Sequence, residues 1–190
     1  MKSLAFSALT VCGLDELDRH AARGVTHVLS ILDPGWPEPA AFQIFDPHDR
    51  ATFRFHDAIE PGPGILLPER RDVAAMLAFG RDAGDVSHLL IHCHAGISRS
   101  TAAMLMILAQ AHPHETEDAV VDELLAIRPQ AWPNSRMVAV GDDLLRRGGR
   151  LNAALGRIYA QRLRTQPEFA QLMLQGRRGR EVEMGLGAKV

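Results

Sequence analysis

Residues 88–109 read HLLIHCHAGISRSTAAMLMILA, a strand pattern that leads through a short polar segment into a helix pattern. The apolar centre of residues 88–92 favours a buried strand. The run 102–109 is apolar on nearly all sides, which is typical of a helix in the middle of a domain. A strand followed by a loop and a buried helix is a building unit of α/β sheets, so this stretch predicts an α/β fold.

The rest of the chain continues this alternation. Further strands are predicted at 4–12, 26–32 and 52–56, and helices at 14–23, 68–82, 115–127, 133–146 and from 151 onward. Residues 33–50 contain four prolines and are predicted to be mostly loop. Strands that alternate with helices pair in parallel, because each helix carries the chain back to the starting edge. The expected architecture is a mostly parallel central sheet flanked by helices.

The composition is that of an ordinary globular protein. Of the 190 residues, 46% are hydrophobic and 23% are charged, and the formal net charge is −2. A disordered chain has fewer apolar residues, a disulfide scaffold has more cysteines, and a collagen has a periodic glycine. One compact domain is therefore expected, with Trp36 and Trp132 in its core.

The charge is divided unevenly along the chain. Residues 1–143 carry 11 basic and 20 acidic residues, whereas residues 144–190 carry 10 and 3. A basic segment can bind nucleic acid or anionic lipid, but this one lacks interleaved aromatic residues. Such a segment is more often a solvated helix face that balances an acidic body, so no nucleic-acid partner is expected.

The two cysteines, Cys12 and Cys93, are too few for a disulfide framework, which predicts a reducing compartment. Residues 4–12 are apolar enough to suggest a short signal peptide, but a single lysine precedes them and Val11 suits no cleavage site. The apolar run 102–109 is shorter than the ~20 residues that cross a bilayer. We expect a cytoplasmic protein that does not bind membranes and whose free thiols are available for chemistry.

Cys93 stands where the predicted strand 88–92 ends, and a short loop follows it before the helix that opens at Arg99. The N–H groups of such a loop converge above the sulfur, at the positive end of the helix, which suits a tetrahedral oxyanion. Arg99 adds a planar fork for two phosphate oxygens. The same positive field stabilises the thiolate form of Cys93. The predicted phosphate-binding residues are His94, Ala95, Gly96, Ile97, Ser98 and Arg99.

A thiolate beside a bound phosphate is a nucleophile aimed at phosphorus. Gly96 relieves crowding where the backbone turns inward. Ser100 can offer a hydroxyl to the sulfur when the sulfur becomes the leaving group. The chemistry indicated is phosphoryl transfer to Cys93, followed by hydrolysis of the cysteinyl-phosphate.

Residues 91–100, IHCHAGISRS, resemble the active-site signature of the cysteine-dependent protein tyrosine and dual-specificity phosphatases. A cysteine, five residues, an arginine and a serine follow one another, with His92 before them and Gly96 among them. Residues 128–134, RPQAWPN, are similar to the arginine, proline and proline-asparagine stretch that follows the signature in dual-specificity phosphatases. The resemblance spans residues 9–145 and implies supporting roles for His92, Ser100 and Asn134.

The resemblance also implies a domain organisation. Residues 1–147 are expected to form a dual-specificity phosphatase-like domain. The family pattern does not cover residues 148–175, which are expected to form a C-terminal helical extension packed on the same domain. Residues 176–190 contain four glycines and are expected to be a flexible tail.

The leaving oxygen of a phosphate ester needs a proton from a carboxylic acid on a loop above the thiolate. Asp57 is the first choice, because it follows a predicted strand, lies in a turn-rich loop and precedes Cys93 by a distance similar to that in dual-specificity phosphatases. Asp46 and Asp49 in the preceding loop are the rivals. The chain lacks the tryptophan-proline-aspartate triplet of the tyrosine-specific enzymes, so the choice among the three stays open.

The implied function is hydrolysis of phosphate monoesters, with protein phosphotyrosine as the first substrate and phosphoserine, phosphothreonine and small phosphomonoesters left open. No metal or organic cofactor is implied. A rhodanese-like sulfurtransferase is one alternative, and a non-catalytic module that binds phosphoresidues is another. The acid at Asp57 argues against the first and the nucleophile Cys93 against the second. His88, His92 and His94 suggest zinc, but no second cysteine or carboxylate stands at ligand spacing, and His92 is expected to bond to backbone near the loop.

Overall fold

A computed structural model of the chain describes residues 6–83 and 87–188. Strands β1 to β4 cover Ala8–Cys12, His27–Leu32, Asp49–Arg54 and His88–His92. Helices α1 to α7 cover Arg70–Asp82, Arg99–Ala111, Glu117–Ile127, Ser135–Leu144, Arg150–Thr165, Phe169–Gln175 and Gly179–Gly187. Two 3₁₀ helices cover Leu14–His20 and Ala40–Ile44. Residues 4 and 5 of the first predicted strand lie outside the described residues.

Within the described residues, the sheet has four strands in the order β1-β4-β2-β3, and every pairing is parallel. All five residues of β4 are buried, because β1 and β2 pair with its two edges and apolar clusters cover both faces, with Leu89 and Ile91 in one cluster and Leu90 in the other. The predicted α/β architecture with a parallel sheet and flanking helices is confirmed. In such a sheet the carboxyl ends of all strands meet at one edge, where ligands of open α/β sheets bind.

Two elements differ from their predicted form. The helix expected at 14–23 is the shorter 3₁₀ helix Leu14–His20. The strand expected at 52–56 runs over Asp49–Arg54 instead, because it pairs along the whole of β2, from His27 opposite Asp49 to Leu32 opposite Arg54. Pairing with a neighbouring strand therefore sets the bounds of this edge strand more than its own apolar pattern does.

The core lies between the sheet and α2. Residues 102–109 of α2 are each at most 1% exposed, as their apolar pattern predicts. They belong to one cluster with β4, α1 and α3. Burial of this kind stabilises the fold by roughly 25 cal/mol per Å² of apolar surface. Among the described helices, none is both long and apolar enough to cross a membrane.

The C-terminal segment is packed against this same core. Leu155 and Tyr159 of α5 and Val182 of α7 belong to the core cluster. The expectation of a flexible tail is wrong for residues 179–187, which form α7. The glycines in this segment serve close packing: a Cβ on Gly185 would lie 2.8 Å from the Cβ of Tyr159, so only glycine lets the two helices approach this closely.

Candidate active site

The segment from Cys93 to Ser98 forms a loop at the carboxyl edge of the sheet. It begins where the central strand β4 ends and closes at Arg99, the first residue of α2. Gly96 has a φ of +67°, and a Cβ at this position would lie 2.4 Å from the carbonyl carbon of Cys12. The loop is thus pressed against the end of β1, and its conformation requires glycine.

Replacing Gly96 by alanine is expected to lower the free energy of unfolding by about 3 kcal/mol or more, because a positive φ and a backbone clash act together. Gly24→Ala is the matched control: its φ is +65°, and a Cβ there meets no described atom within 4 Å. The control is expected to lose only about 1 kcal/mol. Urea unfolding measures both. Equal losses in the two variants would mean that contact with β1 does not constrain the loop.

The carbonyl groups of residues 94–97 are all bonded to the scaffold outside the loop. The Leu14 N–H donates to the carbonyl oxygen of His94 at 2.9 Å. The Trp132 N–H donates to that of Ile97 at 2.8 Å. The Arg128 guanidinium donates to the carbonyl oxygens of Ala95 and Gly96, with its Nε 2.9 Å from the oxygen of Gly96. In a trans peptide the next N–H points opposite to the carbonyl. The N–H groups of residues 95–98 therefore face the interior of the loop.

Arg128 is itself fixed by a carboxylate. Its two terminal nitrogens donate to both oxygens of Glu16 at 3.0 and 2.8 Å. Glu16 Oε2 also accepts from the N–H of Gly13 at 2.6 Å. The segment 128–134, which is similar to a phosphatase segment, thus supports the loop by hydrogen bonds to its carbonyl groups.

The Cys93 thiol lies at the floor of the loop and is 2% exposed. Its Sγ is 3.1 Å from the hydroxyl of Ser100, which stands in the first turn of α2. Ser100 was expected to offer its hydroxyl to the sulfur, and the two atoms lie within hydrogen-bond distance. His92 is fully buried beside it, and burial lowers its pKa to about 4, so the ring is neutral at pH 7. Its Nε2 bonds to the Ser30 hydroxyl at 2.6 Å, in addition to the expected interaction with backbone, which is made with Cys93.

Arg99 is 3% exposed, so its guanidinium is withdrawn from solvent. Its Nη1 donates to Asp33 Oδ1 at 2.5 Å and to the carbonyl oxygen of Phe55 at 2.7 Å. Its Nε is buried and has no hydrogen-bond partner among the described residues. One side of the guanidinium is thus anchored, while a donor on the other side stays available for an anion.

Asp33, which follows directly after β2, was not among the residues predicted for the site. Its N–H donates to His94 Nε2 at 3.1 Å, in addition to the carboxylate bond with Arg99. Burial and the charge of Arg99 lower the pKa of His94, so its Nε2 is free to accept this bond. Its position directly after a strand could have indicated a role in the site, since residues just past a parallel strand lie at the ligand-binding edge of the sheet.

Trp36 lies at the rim of this loop, where the sequence had placed it in the core. It is 44% exposed, and its ring centroid is 4.3 Å from that of His94. The turn after β2 carries it to the carboxyl edge of the sheet, away from the apolar layers. Trp132 is fully buried, as predicted.

Asp57 lies just beyond β3 and touches the loop. Its Oδ1 accepts hydrogen bonds from Ser98 Oγ at 2.7 Å, Asn134 Nδ2 at 3.0 Å and Arg178 Nη1 at 3.2 Å. Oδ2 carries none of these three bonds. Burial raises the pKa of Asp57, but the charges of Arg178 and Arg99 and the bonds from Asn134 and Ser98 outweigh it and hold the pKa below its ordinary value.

The structure sets the two rival carboxylates apart from Asp57. Asp49 is the first residue of β3, so it lies at the opposite edge of the parallel sheet from Cys93. Its side chain is 83% exposed and lies 3.6 Å from His27. Asp46 stands three residues before it. Asn134, which the resemblance singled out, bonds to Asp57 and also caps α4 by accepting from the Met137 N–H at 3.1 Å.

Arg178 is the second site residue that was not predicted, because it lies in the segment expected to be flexible. Its side chain is 5% exposed. Nη1 donates to Ser98 Oγ at 2.7 Å as well as to Asp57, and the other nitrogens donate to Glu181. No local pattern distinguishes this arginine from the exposed ones around it.

The three histidines that suggested zinc have separate partners. His88 bonds to Thr10 Oγ1 at 2.8 Å, His92 to Ser30, and His94 to Asp33. Within residues 6–83 and 87–188, no three His, Cys, Asp or Glu side chains are grouped closely enough to hold a metal ion.

Several solved structures resemble this chain. DUSP15 has 21% sequence identity and a TM-score of 0.52, over 83% of this chain and 94% of that chain. Tk-PTP in its active form has 19% identity and a TM-score of 0.51, over 77% and 94%. The human tyrosine phosphatase-like serine/threonine/tyrosine-interacting protein has 19% identity and a TM-score of 0.52, over 72% and 90%.

No protein-family model and no curated protein sequence matches the chain. The likeness to these structures is therefore one of backbone arrangement, and it covers most of the chain. It agrees with the resemblance in residues 91–100. The chain has the fold of the cysteine-dependent dual-specificity phosphatases.

Proposed function

We propose that the protein is a phosphatase that hydrolyses phosphate monoesters through a cysteinyl-phosphate on Cys93. The observation that carries this proposal is the set of outward carbonyl bonds of residues 94–97, which turns consecutive N–H groups toward the space above Sγ. The Nε of Arg99, which has no hydrogen-bond partner in the part of the chain that the structure describes, adds a charged donor. A ring of donors with a thiol at its floor fits a phosphate group in line for attack.

Phosphotyrosine in proteins is the substrate we propose, with phosphoserine and phosphothreonine as slower ones. Trp36 supports this choice, because its indole is 44% exposed at the rim and can pack against a phenyl ring. No metal or organic cofactor enters the proposed reaction. We place it in the reducing cytoplasm, where Cys12 and Cys93 remain free thiols.

The reaction proceeds in two steps. The Cys93 thiolate attacks phosphorus, the bond from phosphorus to the ester oxygen breaks, and Asp57 gives its proton to that oxygen. Water then attacks the cysteinyl-phosphate, Asp57 takes a proton from the water, and the bond from sulfur to phosphorus breaks. The Ser100 hydroxyl, 3.1 Å from Sγ, stabilises the departing thiolate in this second step.

The hydrogen bonds of Asp57 support different tasks for its two oxygens. Three donors converge on Oδ1, so Oδ2 is the oxygen we propose to carry the transferred proton. Neighbouring cations hold the pKa of Asp57 low in the free protein. A bound phosphate dianion brings negative charge to the same cations, which raises that pKa and allows Asp57 to be protonated when substrate is present.

The test is Asp57→Asn with two substrates. The variant is expected to lose about 10²-fold or more in kcat on phosphotyrosine, whose phenolate is a poor leaving group. The loss on 4-nitrophenyl phosphate is expected to be only a few fold, because nitrophenolate departs without a proton. The alkaline limb of kcat for phosphotyrosine should disappear, since kcat reports the loss of the Asp57 proton in the complex with substrate.

Asp46→Asn and Asp49→Asn are the matched controls and should leave both rates unchanged. A similar loss on both substrates with a preserved bell-shaped profile would mean that Asp57 only ties down its loop. Turnover of thiosulfate without any phosphatase activity would replace the proposed function by sulfur transfer.

A further inference from the structure

Arg178 reaches the candidate active site from the C-terminal segment, just before α7. Its Nη1 lies between two groups of the site, 3.2 Å from Asp57 Oδ1 and 2.7 Å from Ser98 Oγ. Ser98 belongs to the loop of residues 93–98, the phosphate-binding loop of the proposed function, and also donates to Asp57. A single buried nitrogen thus joins the proposed acid to the loop that binds the phosphate.

We propose that Arg178 is a positioning residue of the active site, supplied by the C-terminal segment to hold the Asp57 carboxylate against the phosphate-binding loop. The inference rests on the proposed function, because it assigns Arg178 a role in the proton transfers of Asp57. It makes the segment beyond residue 147 a part of the catalytic unit, not an appendage to it.

Glu181 holds Arg178 in this position. Its carboxylate is fully buried and accepts from Arg178 Nε at 2.6 Å and Nη2 at 2.9 Å, a bidentate pair. It also accepts from Trp132 Nε1 at 2.6 Å and from the Ser135 N–H at 2.8 Å. Four donors therefore surround the buried carboxylate, so its charge is not left without partners.

This anchor is connected to the same scaffold as the acid. Ser135 is the first residue of α4, and Asn134 before it donates to Asp57. Trp132 donates its backbone N–H to the phosphate-binding loop and its indole N–H to Glu181. The fork of Arg178 is therefore fixed relative to the loop on one side and to Asp57 on the other.

The packing of α7 makes this arrangement rigid. Gly185 meets Tyr159 of α5 at a separation that excludes any side chain. The Tyr159 hydroxyl donates to the carbonyl of Pro133 at 2.5 Å, next to Asn134. The backbone N–H of Glu181 also donates to the carbonyl of Arg178 at 3.0 Å. Arg178 thus has little freedom to leave the site while the core is intact.

The charged and titratable groups around Asp57 come from four elements. They are Arg99 of α2, His94 of the phosphate-binding loop, Tyr159 of α5, and Arg178 with its partner Glu181. After burial, which raises the pKa of Asp57, the charge of Arg178 is the strongest influence on it and lowers it. Loss of this charge must therefore raise the pKa of Asp57 and move the alkaline limb of kcat to higher pH.

Arg178→Met tests the proposal in the full-length protein, with phosphotyrosine and 4-nitrophenyl phosphate as substrates. We expect kcat on phosphotyrosine to fall about 10-fold or more, because the carboxylate is no longer held in place. The loss on 4-nitrophenyl phosphate should be much smaller. The alkaline limb for phosphotyrosine should move upward by about 1 pH unit, the usual size of a lost opposite charge.

Arg180→Met is the matched control, because it removes the same charge from the same segment at a side chain that is 52% exposed. It should behave as wild type. Arg178→Lys keeps the charge and loses the fork, so the alkaline limb should stay near its wild-type position while kcat recovers only in part. If Arg178→Met does not fold, the double variant Arg178→Met/Glu181→Gln removes the buried pair together and should show the same shift.

The outcomes separate the two proposals. Wild-type protein without Cys93-dependent hydrolysis of either substrate would reject the proposed function, and this inference with it. Active wild-type protein with an Arg178→Met variant that folds, keeps the wild-type pH profile and slows both substrates equally would leave the function standing and overturn the role of Arg178. That role would also be overturned if Arg180→Met shifted the alkaline limb as far as Arg178→Met.

Discussion

Cys93→Ser is expected to reduce the hydrolysis of aryl phosphates by roughly 10⁴-fold or more, the size of effect seen when the nucleophile of a covalent mechanism is lost. The serine hydroxyl has nearly the same shape as the thiol but does not ionise in the field of the loop and Arg99. Because the side chain is 2% exposed and the loop is held by its carbonyl groups, the variant should fold and still bind phosphate.

Steady-state rates and equilibrium binding of inorganic phosphate measure these two expectations together. Cys12→Ala is the matched control, since Cys12 is the other buried cysteine and burial raises the pKa of its thiol to about 12, which keeps it protonated. The control should retain wild-type kcat. Turnover by Cys93→Ser near the wild-type rate would remove Cys93 as the nucleophile.

Arg99→Lys is expected to lower kcat by roughly 10²-fold or more, as for the loss of a well-placed donor to an oxyanion. Arg99 uses Nη1 to bond Asp33 and the carbonyl of Phe55 while its Nε stays available. The single ammonium of lysine cannot hold the scaffold and grip the phosphate with a planar fork at once. The loss should weaken binding of the transition state more than binding of the substrate, so kcat should fall more than KM rises.

Arg70→Lys is a suitable control, because Arg70 makes a surface pair with Asp143 and its side chain is 62% exposed. Its kinetic constants should equal those of wild type. An unchanged kcat in Arg99→Lys would show that the guanidinium has only a structural task at the start of α2.

Much of the site follows from residues that are neighbours in the chain. The strand before Cys93, the loop after it and the buried helix that begins at Arg99 lie within residues 88–111. Local patterns of apolar residues and one glycine suffice to predict this unit, since a strand, a tight turn and a helix start each have their own signal. Asp57 was also placed by order along the chain, because it follows a strand whose carboxyl end lies at the same edge.

Other parts of the site depend on residues that are distant in the chain. Arg99 and Asp33 are 66 residues apart, and Arg178 and Asp57 are 121 apart. An arginine near the chain end is expected to be solvated, because a buried charge is stable only when partners meet it. Arg178 can be buried because Glu181 and Asp57 accept hydrogen bonds from it. The residues next to Arg178 in the chain carry no signal that the fold brings Asp57 close to it.

The glycines of the C-terminal segment also depend on contacts with residues that are distant in the chain. By itself, the sequence determined the strand, loop and helix that carry Cys93 and Arg99, because the forces that form them act between near neighbours. It left open whether Gly185 marks a flexible tail or a tight helix contact, since both favour a residue without a side chain. Only the tertiary structure decided this, by placing Tyr159 of α5 against Gly185 and so bringing Arg178 to the carboxylate of Asp57.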